Sequence, residues 1–164
     1  TMLKMKDEGI VKNIGCGINQ WEMPLRFYEH FHLDNVLLAG RYTLLENSSS
    51  KFFMEKSRSL KTMITIGGPF NSGILARDLN SPVSYNYEIA PESLINKAKE
   101  IEKITFKYGI SLKSAALNFL LEDEKVSYVV PGMSSKKEID ENIIISQETV
   151  PTELWDELKD KEFI

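Results

Sequence analysis

The stretch Thr62-Met-Ile-Thr-Ile-Gly-Gly-Pro-Phe-Asn-Ser-Gly73 decides the fold. It begins as a short run of apolar and β-branched residues, which is typical of a strand buried on both faces, and it stops at two glycines and a proline. Apolar runs of the same kind occur at three other places, with helical stretches between them. The predicted strands are 11–16, 35–39, 62–66 and 126–130. Strands that alternate with helices predict a parallel sheet, and hence an α/β fold.

Capping signals and apolar spacing set the bounds of the predicted helices. Pro91 suits the first turn of a helix, and Gly109 suits the position after its last turn. Ser135 and Glu138 have the spacing of a capping box. The predicted helices are 20–29, 49–58, 91–108, 111–122, one that opens at Ser135, and 152–161. The first and fourth predicted strands therefore lead into a helix almost directly, whereas longer connections follow the second and the third.

Two architectures accommodate four such units: a small open, doubly wound sheet, or half of a (β/α)₈ barrel. All four predicted strands end in small or polar residues. These ends read Gly15-Cys-Gly-Ile-Asn19, Ala39-Gly-Arg41, Gly67-Gly-Pro69 and Pro131-Gly-Met-Ser134. A barrel builds its site from the loop after every strand, whereas an open sheet concentrates its site at one switch point. The pattern favours the barrel.

Composition argues against several classes of partner. The chain has 164 residues and a formal net charge of −4, which gives no reason to expect nucleic acid or an anionic membrane. No apolar run approaches the roughly 18 residues of a membrane span. The single cysteine, Cys16, cannot form an internal disulfide, so we expect a reducing, cytoplasmic location. Residues 2–8 and Gly9 resemble the end of a helix; unless they form a short helix of their own, further sequence is expected upstream.

The long stretch 67–90 is rich in Gly, Pro, Asn and Ser and is predicted to be a loop. Loops of this length are usually functional or disordered. In its first part, 67–73, glycines let backbone N–H groups approach an anion, so a pyrophosphate cradle and a plain flexible turn both fit. Further along, Tyr85, Asn86 and Tyr87 either cover a ligand or pack the loop onto the barrel.

Asn19 stands just after the first predicted strand. Its carboxamide offers a donor and an acceptor, which suits another carboxamide such as that of a nicotinamide ring. The alternative is a helix N-cap, a position that Asn also favours. The nearby Cys16 is interpreted as a small apolar residue buried in the core, because no neighbouring residue marks it as a nucleophile.

Ser134 and Ser135 open a predicted helix whose N-terminus suits a phosphate group. Glu138 argues against a phosphate dianion at that place, because its carboxylate repels one. The same glutamate fits the capping box with Ser135. The two roles can coexist, since Glu138 can cap the helix and still exclude a 2′-phosphate.

Other kinds of active site find no support in the sequence. His30 and His32 have no Cys, Asp or Glu at metal-ligand spacing, so no metal is expected. No combination of Ser, His and Asp, or of Cys and His, is recognisable as a nucleophile with its base. The acidic residues are predicted to lie on helix surfaces, where solvation explains them.

Four segments are long enough to compare with a known family. They are Gly9-Ile-Val-Lys-Asn-Ile-Gly-Cys-Gly-Ile-Asn-Gln-Trp21, Leu37-Leu-Ala-Gly-Arg-Tyr-Thr-Leu-Leu45, Ile66-Gly-Gly-Pro-Phe-Asn-Ser-Gly-Ile-Leu75, and Val129-Val-Pro-Gly-Met133 with Glu141-Asn142. Together they resemble the aldo-keto reductase family, in particular its sugar dehydrogenases of the D-threo-aldose and L-fucose 1-dehydrogenase kind. The resemblance implies that residues 1–164 form one partial domain, the C-terminal half of a TIM (β/α)₈ barrel with strands five to eight.

The resemblance also implies a nicotinamide dinucleotide cofactor and the residues that contact it. Asn19 would contact the nicotinamide amide, and the turn with Ser134 and Glu138 would surround the adenosine ribose. Glu141 and Asn142 would reach the adenine. The pyrophosphate would be wrapped by Gly68, Pro69, Phe70, Asn71, Ser72 and Gly73. Glu138 stands where members that bind NADP use an arginine, which favours NAD over NADP.

The catalytic residues of the family have no counterpart in this chain. The family transfers a hydride between its cofactor and a carbonyl or alcohol, using a Tyr, a Lys, an Asp and a His that belong to the first four strands. The resemblance therefore implies a sugar or carbonyl substrate for the complete enzyme and no turnover by this chain alone. Near the nicotinamide, many members have a Ser where this chain has Gly17 and Ile18, and a Gln where it has Ala39. An aromatic residue of many members falls near Gly67.

The exposed edges of a half barrel predict a homodimer, or pairing with a separate N-terminal half. Two other functions stay open at this point. The chain is either a nucleotide-binding module without catalysis, or a half-barrel assembly whose role is structural.

Overall fold

Strands and helices alternate along the chain in the computed structural model, which describes residues 1–164. In chain order the elements are α1 (Met2–Asp7), β1 (Gly15–Ile18), α2 (Glu22–Tyr28), β2 (Asn35–Ala39), α3 (Lys51–Ser59), β3 (Met63–Gly67), β4 (Ser84–Tyr85), β5 (Glu88–Ile89), α4 (Glu92–Lys107), α5 (Leu112–Leu121), β6 (Tyr128–Val130), α6 (Lys136–Ile145) and α7 (Thr152–Asp160). Two short 3₁₀ helices, Ser48–Ser50 and Asn71–Gly73, lie in the loops.

The main sheet has four parallel strands in the order β1-β2-β3-β6. Its register aligns Gly17 with Leu37, Leu37 with Thr65, and Thr65 with Tyr128. Aligned residues of a parallel sheet point to the same face, so these four positions share one face and their sequence neighbours share the other. All four strands also end at the same edge of the sheet.

Helices cover one face of this sheet. Leu38 and Ile66 on that face have no solvent exposure, and they pack with Phe53 and Met54 of α3 and with Leu120 of α5. The other face is bare. Leu37 is 36% exposed, Tyr128 60% and Val130 51%. An open, doubly wound sheet carries helices on both faces, so the one-sided cover agrees with the predicted barrel geometry, in which the inner face of the strands meets no helix.

A second apolar core lies outside the sheet, where α4, α5 and α7 pack together with the loop that follows β3. Its fully buried members include Leu75, Ile101, Ala115 and Leu154. The C-terminus is tied to this region, because the Asn47 side-chain amide donates to the carbonyl of Phe163 at 2.9 Å. This core holds the loop after β3 in place beside the ends of the strands.

The structure corrects two strand predictions. The first strand was expected at 11–16 but runs from Gly15 to Ile18, because the N–H groups of Ile10 and Val11 bond back to the carbonyl of Met5 at the end of α1. The fourth was expected at 126–130 but begins at Tyr128, since the N–H of Val126 closes a turn onto Asp123. The strand expected at 35–39 has those bounds, and β3 lies one residue later than 62–66.

The predicted loop 67–90 is not wholly irregular. It contains the short antiparallel pair β4–β5, joined by Asn86 and Tyr87. Both residues have positive φ, 51° and 67°, as a two-residue type I′ hairpin turn requires. The predicted helix ends at Gly9 and Gly109 are confirmed, since both glycines have left-handed φ angles just after a helix.

Polar contacts fasten α1 to the sheet at the amino ends of the strands. The Lys6 ammonium donates to both carboxylate oxygens of Asp34, at 2.7 and 2.6 Å, and the N–H of Ile14 donates to the same carboxylate at 2.8 Å. These bonds lower the pKa of Asp34 below its usual value, the Lys6 bond most. No helix in the structure combines the length and the apolar character that crossing a bilayer requires.

Candidate functional site

A cavity of about 450 Å³ opens where the strands end. Nearly all the residues singled out from the sequence line it. They are Asn19, Gly68, Pro69, Phe70, Asn71, Ser72, Gly73, Glu138, Glu141 and Asn142. Ser134 does not line the cavity and contributes by binding Glu138. The fold therefore brings together segments that are more than 120 residues apart in the chain, as the carboxyl ends of parallel strands do.

Hydrogen bonds join the ends of neighbouring strands and the loops that follow them. The N–H of Gly40 donates to the carbonyl of Gly67 at 2.9 Å, and the N–H of Gly68 donates to the carbonyl of Val130 at 3.3 Å. The Asn19 amide donates to the carbonyl of Ala39 at 3.3 Å. Asn19 is therefore not a helix N-cap, because α2 is capped by Trp21.

The loop 68–73 has an unusual backbone. Asn71, Ser72 and Gly73 all have positive φ, at 46°, 57° and 100°. Left-handed φ is unfavourable for residues with a side chain, so Asn71 and Ser72 carry backbone strain that the surroundings must offset. A methyl group on Gly73 would lie 3.1 Å from Nε of Arg77, so the Arg77 side chain would have to move by a few tenths of an ångström, and the φ of 100° also disfavours a side chain there.

Asn71 is held by its side chain. Its amide nitrogen donates to the carbonyl of Gly40 at 3.2 Å and to Oε2 of Glu46 at 3.4 Å. Its amide oxygen is buried and has no partner. The amide oxygen of Asn142, on α6 across the cavity, is buried without a partner in the same way. Buried acceptors without a donor are uncommon in proteins, so these two mark places where a ligand can donate.

Glu46 is the centre of a polar cluster beside the loop 68–73. Arg41 donates to Oε2 of Glu46 at 3.2 Å and to the Tyr85 hydroxyl at 3.1 Å, and Tyr85 donates to the same Oε2. Burial, and then the bond to Glu46, raise the pKa of Tyr85. Of the three residues expected to cover a ligand or pack the loop, Tyr85 packs the loop, whereas Asn86 and Tyr87 line the cavity.

The N-terminus of α6 forms one wall of the cavity. The Ser135 hydroxyl accepts from the N–H of Glu138 at 3.2 Å, as the capping-box prediction requires. The return bond differs from that prediction, because the Glu138 carboxylate accepts from the N–H and the hydroxyl of Ser134 at 2.6 and 3.1 Å. These bonds, the backbone one most, lower the pKa of Glu138, so a negative charge stays at this wall.

Two cations of the cavity, Arg77 and Lys113, were missed by the sequence analysis. Lys113 lies on α5 and pairs with Glu141 at 3.1 Å. A signal for it exists, because Lys113 is the single charged residue in the otherwise uncharged helix Leu112–Leu121. Arg77 follows the loop 68–73 and is exposed to solvent, and its residue type alone does not predict that it lines a cavity.

Other reactive side chains lie apart from the cavity. No three His, Cys, Asp or Glu side chains come close enough together to hold a metal ion. Cys16 is half-buried rather than fully buried and packs against the sheet core, and burial raises the pKa of its thiol. A raised pKa keeps the thiol protonated, so Cys16 is not an activated nucleophile.

A parallel sheet covered by helices on one face, with its cavity at the carboxyl ends of the strands, defines the class of (β/α) barrel proteins. Within that class the chain belongs to the aldo/keto reductase family, whose sequence profile matches residues 1–162. It is 32% identical over 163 residues to pyridoxal 4-dehydrogenase from Microbacterium luteolum and 31% identical over 162 residues to D-threo-aldose 1-dehydrogenase from Pseudomonas sp.

Solved structures agree on the fold. The holo form of the aldo-keto reductase AKR11C1 from Bacillus halodurans superposes with a TM-score of 0.76 at 16% identity, covering 96% of this chain and 52% of that chain. The glycerol dehydrogenase AKR11B4 from Gluconobacter oxydans gives 0.71 at 16% identity, covering 97% and 51%. The two sequence relatives are matched over 99% and 98% of this chain but 48% and 49% of their own length. The chain thus spans about half the length of the relatives it matches.

Proposed function

We propose that this chain supplies the cofactor-binding half of an NAD-dependent oxidoreductase of the aldo-keto reductase family. The cavity at the strand ends carries the proposal, because it gathers Asn19, the loop 68–73 and the start of α6 in one cleft. When bound, a nicotinamide dinucleotide supplies or accepts a hydride. The residues of this chain would bind and orient it.

The cavity suits such a ligand chemically. The unpartnered amide oxygens of Asn71 and Asn142 would accept from donor groups, and the adenine amino group is a suitable donor for Asn142. Gly73 has no side chain, so a diphosphate could approach the backbone of the loop 68–73, and the Arg77 side chain that packs against Gly73 is a nearby cation. Asn19 would face the nicotinamide carboxamide at the β1 end of the cleft.

The α6 wall of the cavity would hold the adenosine end and favour NAD. The Glu138 carboxylate accepts two hydrogen bonds from Ser134, one from its N–H and one from its hydroxyl, and its lowered pKa keeps it charged at neutral pH. A fixed carboxylate beside the ribose accepts from a 2′-hydroxyl and repels a 2′-phosphate. Ser134 acts through Glu138, and Glu141 would complete the adenine end with Asn142.

We further propose that catalysis needs strands that this chain does not contain. The residues that line the cavity include a Tyr and a Lys but no Asp and no His, so they do not form the family's catalytic set. The bare face of the sheet and the free edges of β1 and β6 would accept the other half of a barrel, either from a separate N-terminal half or from a second copy. The substrate of the complete enzyme would be a small sugar or carbonyl compound.

Titration with NAD⁺ and NADH, followed by calorimetry, tests the proposal. We expect saturable binding to the purified chain, and weaker binding by at least tenfold in Gly73→Ala, because the added methyl group meets Arg77 and the φ of 100° disfavours alanine. Gly109→Ala is the matched control. Gly109 also has a left-handed φ, 73°, but it ends α4 away from the cavity.

Two results would contradict the proposal. Absence of nucleotide binding by the folded chain would remove the cofactor role, and equal loss of binding in both glycine variants would mean that the cleft is not the binding site. An assay of aldose oxidation, with and without an added N-terminal half from a relative, tests the catalytic part. Turnover by this chain alone would show that the missing strands are not required.

A further inference from the structure

Lys113 stands between the two walls of the cavity. Its Nζ lies 3.1 Å from Oε2 of Glu141 on α6, and its side chain is 21% exposed. The same ammonium group lies 5.7 Å from the centre of the Phe70 ring, in the loop 68–73. A half-buried cation that contacts both walls is well placed to meet the charge of a bound ligand.

The acidic groups that face Lys113 both come from α6. Glu141 is its direct partner, and Glu138 is near enough that Lys113 helps to lower the pKa of the Glu138 carboxyl. Glu141 has a second, weaker partner in Lys137 at 3.7 Å, but Lys137 is exposed and does not line the cavity. Lys113 is therefore already neutralised within the protein.

We propose that the Lys113–Glu141 ion pair determines which dinucleotide the cavity accepts. Lys113 is the one lysine that lines the cavity, and its ion pair with Glu141 leaves it unavailable to bind a ligand. A dinucleotide with an extra phosphate at its adenosine end then meets no available ammonium group there, and it meets the Glu138 carboxylate instead. The inference rests on the proposed function, because it requires a dinucleotide in this cleft.

The ion pair, more than either residue alone, determines whether a phosphate group can bind here, because of the charges involved. A free ammonium group would bind a phosphate dianion through short, charge-assisted hydrogen bonds. While Glu141 is ionised, a phosphate must compete with a carboxylate that is already in place. Removing the carboxylate leaves Lys113 partly buried without its partner, which is the situation in which a cation gains most from a new anion.

The test compares NAD⁺ with NADP⁺, which differ by the 2′-phosphate alone, in calorimetric titrations of the whole chain. The measured quantity is the ratio of the NADP⁺ dissociation constant to the NAD⁺ dissociation constant. In Glu141→Gln we expect this ratio to fall about tenfold, the effect of one charge-assisted hydrogen bond. In Lys113→Met with Glu141→Gln, the ratio should return to the wild-type value, since methionine keeps the apolar stem and lacks the charge.

Using a ratio removes effects that both nucleotides share, such as a lost adenine contact of Glu141. Glu153→Gln is the control for a general change of charge, because it removes one negative charge from an exposed position of α7 that does not line the cavity, and it should leave the ratio unchanged. Adenosine 2′,5′-bisphosphate and AMP serve as smaller probes of the adenosine end. Thermal melts of every variant establish that the fold is intact before titration.

Each other outcome overturns the inference in a recognisable way. An unchanged ratio in Glu141→Gln, with normal NAD⁺ binding, refutes the masking role and leaves the proposed function standing. An equal fall of the ratio in the double variant assigns the effect to the lost negative charge and not to Lys113. If the wild-type chain binds neither nucleotide, the proposed function fails and this inference fails with it.

Discussion

The two faces of the four-stranded sheet differ both in their residues and in their surroundings. Leu37 and Leu38 are neighbours in β2, and they point to opposite faces. Leu38 is fully buried under the helices, whereas Leu37 is 36% exposed on the bare face. Since Leu37 and Leu38 are the same type of residue, the sequence of a strand shows that a side chain suits an interior, but it does not show what covers that side chain. An apolar face that the chain leaves uncovered has the composition of a surface for association.

The covered face should be the main source of stability. Leu38→Ala deletes a fully buried side chain from a close-packed layer, so we expect it to lower the free energy of unfolding by about 3 kcal/mol. Denaturant titration followed by circular dichroism measures this loss. A loss below about 1 kcal/mol would mean that the helices pack on the sheet much less tightly than the buried areas indicate.

The polar contacts of Asp34 should contribute less than this packing, and their effect should depend on pH. Asp34→Asn removes a charge that binds Lys6 and the N–H of Ile14, and we expect a loss of about 1 kcal/mol at neutral pH. The pKa of Asp34 is lowered in the folded state, so its contribution is complete above the unfolded value near 3.8 and disappears as the pH falls through the lower folded pKa.

Measuring the unfolding of wild type and Asp34→Asn from pH 7 down to pH 2 checks this dependence. The difference between the two proteins should be constant above about pH 5 and should shrink toward zero in acid. A difference that grew in acid would reverse the sign and contradict the assigned ion pair.

The bare face should give the smallest effect. Leu37→Ala removes the same atoms as Leu38→Ala from the opposite side of β2, and in dilute solution it should cost less than about 0.5 kcal/mol, as for surface positions. Unfolding at several protein concentrations measures it. A cost equal to that of Leu38→Ala, rising with concentration, would mean that a second copy covers this face in solution.

The bounds of strands and helices could be predicted where the residue pattern is clear. They could not be predicted where hydrogen bonds in a neighbouring turn set the first residue of a strand. The bounds of β2 follow from the apolar run of residues 36–39 directly after Asn35. The start of β1 does not, because residues 10 and 11 have apolar side chains but give their N–H groups to the end of α1. The β4–β5 hairpin was missed since Tyr87 adopts a left-handed conformation, which its residue type gives little reason to expect.

Most of the residues named from the sequence lie together at one cavity because they follow strands, and strand ends meet at one edge of a parallel sheet; their roles in binding a cofactor stay predictions. Arg77 and Lys113 were the exceptions, and Lys113 was missed because it comes from α5 and a lysine on a helix is usually solvated. Its place in the cavity follows from how α5 packs between two cores, which depends on contacts far apart in the sequence. The partners of Glu138 were half foreseen, with Ser134 taking the place expected for the backbone of Ser135.

The Asn86–Tyr87 turn gives the cavity a rim that exists before any ligand arrives. Both residues are fixed in the conformation that the twist of β4 and β5 demands, and Tyr87 is 95% exposed at the edge of the cleft. The backbone of the Asn86–Tyr87 turn therefore loses its conformational entropy when the chain folds, before a ligand binds. A ligand that binds against the Tyr87 ring would thus meet an aromatic surface whose backbone is already ordered. Little backbone conformational entropy would be lost in forming that contact.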